Sequence, residues 1–237
     1  MITFHNIGIN EKLFKRSKNR NSLLELACGQ ASDLSRWLAS DYKFIFGIDY
    51  AKDNIYKPND GAYARVIKEY NRFNKVKSTE KGFFPNIAFA AGDCSLDIKT
   101  GVSGVDEESR DLMKLIMNNP TRNIKPHFKY IAGKGANKFD VITCMFAIHY
   151  FFQSEEKLDG FMRNVAQNLK RGGIFIATFM DGQLVHKELE ASPTPGLLEG
   201  RKINGKFPVW AIIKRYSSFD DTGYYGKTVD VFLENTN

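Results

Sequence analysis

Cysteine is scarce in this chain of 237 residues. Cys28, Cys94 and Cys144 are too few for a disulfide framework, and each sits in or beside an apolar run, which reads as reduced, buried thiols in a cytosolic-type compartment. No Cys/His cluster has zinc spacing, so no metal site is expected. No apolar run approaches the about 20 residues that a membrane span needs. The opening MITFHNIGINEKLFKRSKNR lacks the apolar core of a secretory signal. Repeats and low-complexity tracts are also missing. What is present is a 43% hydrophobic, 26% charged composition with a net charge of +7, which fits one globular domain and suits a polyanionic partner. Lys12, Lys15, Arg16, Lys18 and Arg20 concentrate that charge ahead of the first apolar run.

Short, fully apolar runs alternate with helical periodicities. SLLELA (22–27), FIFGI (44–48), NIAFAA (86–91), FDVITCMF (139–146) and IFIATF (174–179) read as buried strands. Leu34, Trp37 and Leu38 recur at helical spacing. Ala62, Tyr63, Val66, Ile67, Tyr70 and Phe73 form one stripe, and Leu158, Phe161, Met162, Val165 and Leu169 another. A helix is also expected over 106–118, stopped by Pro120. Lys170-Arg171-Gly172-Gly173 read as the close of the helix before the fifth strand. Residues 192–205 read as a loop, and 210–216 and 228–233 as closing strands. Alternating strands and helices with both strand faces apolar predict a doubly wound parallel sheet. The last two strands have no helix between them and predict an antiparallel edge, seven strands in all. The chain is expected to be one domain, with 1–20 a basic N-terminal segment and 95–138 an insertion between the third and fourth strands.

Ligands in such sheets bind beyond the carboxyl ends of the strands. A small-residue loop follows the first strand (Ala27, Cys28, Gly29, Ala31, Ser32), an acid ends the second (Asp49), and Gly92-Asp93-Cys94 follow the third. Small residues admit a ligand close to the backbone. A carboxylate at the second strand end suits a ribose diol, and one at the third suits an exocyclic adenine amine. The first loop lacks the glycine and lysine signatures of phosphate-binding loops. It carries Glu25 and Asp33 instead, which suit a cationic ligand such as S-adenosylmethionine and favour methyl transfer over hydride transfer. After the fourth strand, His149 and Tyr150 can border a purine by stacking and edge hydrogen bonds.

The elements E-L-A-C-G-Q-A-S-D-L-S-R-W (25–37), F-A-I-H-Y-F-F (146–152), F-H-N (4–6) and R-G-G-I-F-I-A-T (171–178) resemble the motifs of mRNA cap guanine-N7 methyltransferases. The likeness is to the methyltransferase domains in capping enzymes of large cytoplasmic DNA viruses, of the African swine fever virus type. It implies a class I S-adenosylmethionine-dependent methyltransferase fold and methyl transfer to the cap guanine without a general base. By that resemblance Lys12, Glu25, Ala27, Gly29, Asp33, Asp49, Asp93, Cys94, Met145 and Tyr150 bind the cofactor. His5, Asn6, His149 and Tyr150 border the cap guanine, with His149 and Tyr150 as positioning groups. It also implies 5′-capped RNA as partner, triphosphatase and guanylyltransferase domains in the same enzyme, a monomeric isolated domain cut from a longer chain, and action in the host cytoplasm or virion.

Three departures from the family pattern stand out. In the first motif Gln30 replaces a lysine and Ala31-Ser32 a glycine pair; the family's lysine shortly after F-N-N has no clean counterpart, Lys12 being the nearest candidate with a shift; and no acid stands near 207–210, where relatives carry a glutamate that reads guanine, with Glu190 and Glu199 the available substitutes. The residues by themselves leave two other readings open. One is a methyltransferase for another nucleobase or a small amine. The other is a non-catalytic RNA-binding module on a decayed methyltransferase fold.

Overall fold

The computed structural model describes residues 11–75, 82–120, 124–201, 208–217 and 225–233. Five strands, β1 (Ser22–Leu26), β2 (Phe44–Asp49), β3 (Asn86–Ala91), β4 (Phe139–Met145) and β5 (Leu169–Thr178), form one sheet in the order β3-β2-β1-β4-β5. Every pairing in it is parallel. Continuous apolar runs form these strands because helices cover both faces. Leu24, Leu26, Phe46 and Ile142 pack on one face, and Leu23, Ile45, Phe89 and Val141 on the other. The doubly wound class is as expected, but the strand count is not. Strands β6 (Leu197–Arg201), β7 (Pro208–Lys214) and β8 (Val229–Leu233) make a separate antiparallel sheet instead of extending the parallel one. β6 lies inside the expected 192–205 loop.

Among the described residues seven α-helices connect and flank the strands: α1 (Glu11–Phe14), α2 (Leu34–Leu38), α3 (Lys52–Tyr56), α4 (Ala62–Lys75), α5 (Glu107–Met117), α6 (Glu155–Asn168) and α7 (Gly182–Ala191). Capping explains three of their starts. Asp106 accepts from the Ser109 amide at the head of α5, Ser154 from the Lys157 amide at the head of α6, and Asp181 from the Gln183 and Leu184 amides at the head of α7. The expected stripe on α4 is only half-buried, because α4 lies against the edge strand β3. Its Tyr63 hydroxyl donates to the Phe89 carbonyl, while Ile67 and Tyr70 stay exposed.

Lys170 to Gly173 do not close α6. They belong to β5, where Gly172 at φ 77° sits in an irregularity: Phe139 pairs with Leu169, but Val141 pairs with Ile174. The extra residues let Lys170 reach Asp140, at 2.9 Å. A non-glycine residue at this φ would cost about 1–2 kcal/mol.

Helix α6 docks closely on the loop after β3. Asn164 is buried, its amide donates to the carbonyls of Cys94 (2.8 Å) and Leu96 (2.7 Å), and its Oδ1 accepts from the Ile98 amide. One turn earlier, a Cβ on Gly160 would lie 1.9 Å from the Ser95 carbonyl oxygen. Gly→Ala inside a helix ordinarily gains up to about 1 kcal/mol; here the backbone clash reverses the sign. Gly160→Ala is expected to destabilise by about 1–3 kcal/mol, lowering the melting temperature by roughly 2–4 °C per kcal/mol at this chain length. Thermal denaturation followed by circular dichroism reads this, and a raised melting temperature would refute the close docking.

Candidate active site

The strand order reverses at β1 and β4, and the crevice beyond their carboxyl ends is where such sheets bind ligands. A cleft of about 620 Å³ opens there. Ala27 and Gly29 come to it from the end of β1, and Asp49, Tyr50, Ala51 and Asn54 from β2 and the start of α3. Gly92, Asp93 and Cys94 follow β3, and Met145, Phe146, Ala147, Tyr150, Phe151 and Gln153 follow β4, with Lys157 from α6. Two acids against one lysine leave this lining negative, the sign that suits a cationic ligand.

The loop after β1 holds a strained conformation. Ala27, Gly29 and Ala31 have φ of 58°, 54° and 57°. Ala31 stands where the family pattern has glycine, yet keeps the turn: its amide donates to the Cys28 carbonyl and its carbonyl accepts from Leu34. Across the cleft Phe146 is also left-handed, at φ 54°. Strain of about 1–3 kcal/mol per such residue persists where the surroundings over-determine the backbone, commonly at functional sites. Gln30 accepts from the Arg65 guanidinium of α4, so a cation reaches this loop although the family lysine is gone.

Asp49 is buried and fixes the loop. Its Oδ2 accepts from the Gly29 amide (2.8 Å), and its Oδ1 from the Ala51 amide (3.0 Å) and the Asn54 side chain (2.8 Å). A carboxylate has about four acceptor sites, so one remains. The Oδ1 of Asp93 accepts from the amide and hydroxyl of Ser95, at 2.8 and 2.6 Å. Its Oδ2 has no hydrogen-bond partner among the described residues. Burial pushes the Cys94 thiol up to about 12 and raises Cys28 and Cys144 as well, which makes all three packing groups instead of nucleophiles. Beside the cleft the rings of His149 and Tyr150 lie 4.4 Å apart, and desolvation holds the imidazole below its ordinary value. Tyr150 is 68% exposed. The antiparallel sheet reaches this rim: the Gly226 amide, just ahead of β8, donates to the Phe152 carbonyl.

The structure brings Ala27, Gly29, Asp49, Asp93, Cys94, Met145 and Tyr150 together and places other expected residues elsewhere. Glu25 does not line the cleft. It is buried within β1 opposite Thr143, whose hydroxyl it accepts from. Asp33 turns to Arg36, at 2.8 Å, and makes no side-chain cap to α2. Lys12 lies on α1, which is tied away from the cleft: Phe14 is buried, and its carbonyl accepts from Tyr42, just ahead of β2. His149 flanks the cleft through Tyr150 without lining it. His5 and Asn6 lie outside the described residues. Glu190 pairs with Lys214 and Glu199 with Arg201, so both acids considered for guanine reading are engaged in ion pairs. Sequence reasoning missed Tyr50, Asn54, Gln153 and Lys157 in the lining, and Asn164 behind it. An asparagine on an otherwise apolar helix stripe is the one signal that pointed to Asn164.

Desolvation, with Asp33 nearby, raises Glu25 well above 4.5. The native state therefore keeps a proton that the unfolded chain loses, and stability falls as pH rises above about 4.5 toward the folded value. Glu25→Gln removes that titration. The expected result is a flatter profile of melting temperature against pH from 4.5 upward; identical slopes in the two proteins would show that Glu25 does not titrate this way.

A family model described as mRNA (guanine-N(7))-methyltransferase domain matches residues 5–197. The chain is similar to a "Probable mRNA-capping enzyme" of Acanthamoeba polyphaga mimivirus, 26% identical over 98% of this chain and 18% of that protein. It is similar to the mRNA cap guanine-N(7) methyltransferases of Candida albicans (26% identical, 71% of this chain, 31% of that one) and Aspergillus niger (28%, 73% and 27%). The chain thus spans less than a third of the length of each of these relatives. Among solved structures, one similar to it is an S-adenosylmethionine-dependent methyltransferase from Clostridium acetobutylicum, 15% identical over 97% of this chain and 72% of that one, with a TM-score of 0.47.

Proposed function

The chain belongs to the family of mRNA (guanine-N(7))-methyltransferase domains, and from that premise we propose that it transfers the methyl group of S-adenosylmethionine to N7 of the guanine of a 5′ mRNA cap. The observation that carries the reading is the convergence of Asp49, Asp93 and Tyr150, from three different strand ends, on one negatively lined cleft at the switch point.

The residues present fit the cofactor. Asp49 has an acceptor site left for a ribose hydroxyl, and Asn54 is the side-chain partner that can yield another. The Oδ2 of Asp93, without a hydrogen-bond partner among the described residues, suits an adenine amine. Ala27 and Gly29 let a ligand approach the backbone, and the acids favour a cationic end. When bound, S-adenosylmethionine supplies an activated methyl on a positively charged sulfur. Guanine N7 carries its own lone pair, so no side chain has to remove a proton. The protein's part is proximity and alignment. Tyr150 offers a ring face for the purine. His149 flanks the cleft through Tyr150, and desolvation lowers its proton affinity, which favours the uncharged imidazole. The Lys157 ammonium, held by Gln153 at 2.7 Å, faces the cleft where the acceptor's phosphates would enter.

The proposal extends to partners and place. Capped RNA is the substrate, and the cap is supplied by triphosphatase and guanylyltransferase activities of the same capping enzyme. The isolated domain acts as a monomer, in the host cytoplasm or the virion. Similarity to a mimivirus capping enzyme of which this chain covers 18% supports the multi-activity setting.

One experiment tests the reading. The chain is incubated with S-adenosylmethionine and GpppA or GpppG, and the methylated position is located by mass spectrometry. Methyl on guanine N7 is expected. Transfer to another atom or a small amine would replace the acceptor assignment. No binding of the cofactor by calorimetry would leave an RNA-binding module on a decayed fold, a reading against which the retained turn at Ala31 counts.

A further inference from the structure

The parallel topology sorts charge. Every residue just ahead of a strand falls at one edge of the sheet and every residue just after a strand at the other. The trailing edge carries Asp49 and Asp93. The leading edge carries a second cavity, of about 540 Å³, lined by Lys43 ahead of β2, Phe83 and Asn86 at β3, Lys134 and Lys138 ahead of β4, and Lys170 in β5. No acid lines it. Lys170 is paired with Asp140, whereas Lys43, Lys134 and Lys138 have no ion-pair partner among the described residues. Three ammonium groups around one hollow, none of them ion-paired among the described residues, repel one another, and a bound polyanion removes that cost. The basic loop before β1 adds to the same edge: Arg20 donates to the carbonyls of Lys15 and Ser17 there, immediately before Asn21 in the cavity wall.

Two neighbouring aromatics behave differently. Phe84 packs against Tyr70 and Phe73, with ring centroids 5.2 and 5.5 Å apart. Phe83 is 52% exposed at the cavity. An exposed ring among unpaired lysines and neutral asparagines combines base stacking with phosphate contacts, the recognition mode of single-stranded nucleic acid.

We infer that this leading-edge cavity is a second binding site, taking single-stranded RNA downstream of the cap, with Lys43, Lys134 and Lys138 on phosphates and Phe83 under a base. The inference deepens the cap-methylation reading. A strand of six residues spans about 20 Å, so a cap dinucleotide in the cleft does not reach this edge, and a longer transcript does.

The test is direct binding and needs no methyl transfer, so its outcome is separate from that of the functional reading. Fluorescence anisotropy of the full chain with an uncapped, labelled 20-nucleotide single-stranded RNA is measured across a salt series. Each phosphate contact on a single strand contributes about 0.7 to the slope of log affinity against log salt. Lys43→Gln/Lys134→Gln/Lys138→Gln is therefore expected to lower the slope by roughly 2 and weaken binding at low salt by at least roughly tenfold. Phe83→Ala is expected to weaken the single strand roughly 5- to 150-fold and leave duplex RNA unchanged, in line with stacking worth about 1–3 kcal/mol per base. Activity on a cap dinucleotide should be untouched in both variants, and thermal melts confirm that they fold. An unchanged slope in the triple variant overturns the site. Equal losses for single strand, duplex and polyglutamate, with no effect of Phe83→Ala, would overturn it as an RNA site and leave a general anion surface.

Discussion

Asparagine in place of Asp49 is expected to weaken S-adenosylmethionine binding by at least roughly tenfold, and by roughly 100-fold or more if both ribose hydroxyls are held. Hydrogen bonds to a charged group contribute about 1.5–3 kcal/mol each, and a ribose diol makes up to two of them. The carboxylate does two jobs: it accepts from the Gly29 and Ala51 amides and so holds the loop, and it has capacity left for ligand. The amide of asparagine would set a donor against one of those donors, so some thermal stability goes with the affinity. A second variant separates the two. Asn54→Ala removes the third donor without touching the loop amides, and is expected to keep the melting temperature while altering affinity only severalfold. Calorimetric titration reads both. An unchanged dissociation constant in a folded Asp49→Asn protein would remove Asp49 from the cofactor site.

The second large effect is at Tyr150. Its side chain is mostly exposed, and substitutions at such positions ordinarily change stability by no more than about 0.5 kcal/mol. Any loss of activity in Tyr150→Ala therefore reports function. Stacking on a base is worth about 1–3 kcal/mol, so kcat/KM for a cap dinucleotide should fall roughly 5- to 150-fold. Tyr150→Phe keeps the ring and should retain most activity if stacking is the role, or behave like alanine if the hydroxyl is what positions guanine. Full activity in Tyr150→Ala would take this residue out of the acceptor site.

The main strands were legible in the sequence because a strand buried on both faces must be apolar throughout, and SLLEL, FIFGID and NIAFAA are nearly so. Helix α3 (KDNIY) was not legible: Ile55 is its one buried residue, so it carries no apolar stripe. The four residues Lys170 to Gly173 carry a helix-closing signature, but pairing with β4 draws them into a strand with a left-handed glycine at its irregularity. The acids divide in a similar way. Asp49 and Asp93 end strands and therefore reach the cleft. Glu25 lies inside a strand, where the sequence alone does not give its cross-strand partner; that partner is Thr143, 118 residues away. Asn164 and Gly160 act through the loop after β3, about 65–70 residues distant, a partner that the pattern of their own helix does not give.

The sequence by itself determined the alternation of strands and helices, the small-residue loop, the acids at consecutive strand ends and the F-A-I-H-Y-F-F element, because each depends on local pattern and chain order. Only the tertiary structure decided which of the expected residues share a cleft, that Glu25, Asp33 and Lys12 do not line it, and that the C-terminal strands form their own sheet. It also gathered lysines from three separate parts of the chain at the opposite edge. A parallel sheet brings together residues that are far apart in the chain, and which of them meet depends on strand order and register, which local pattern does not encode.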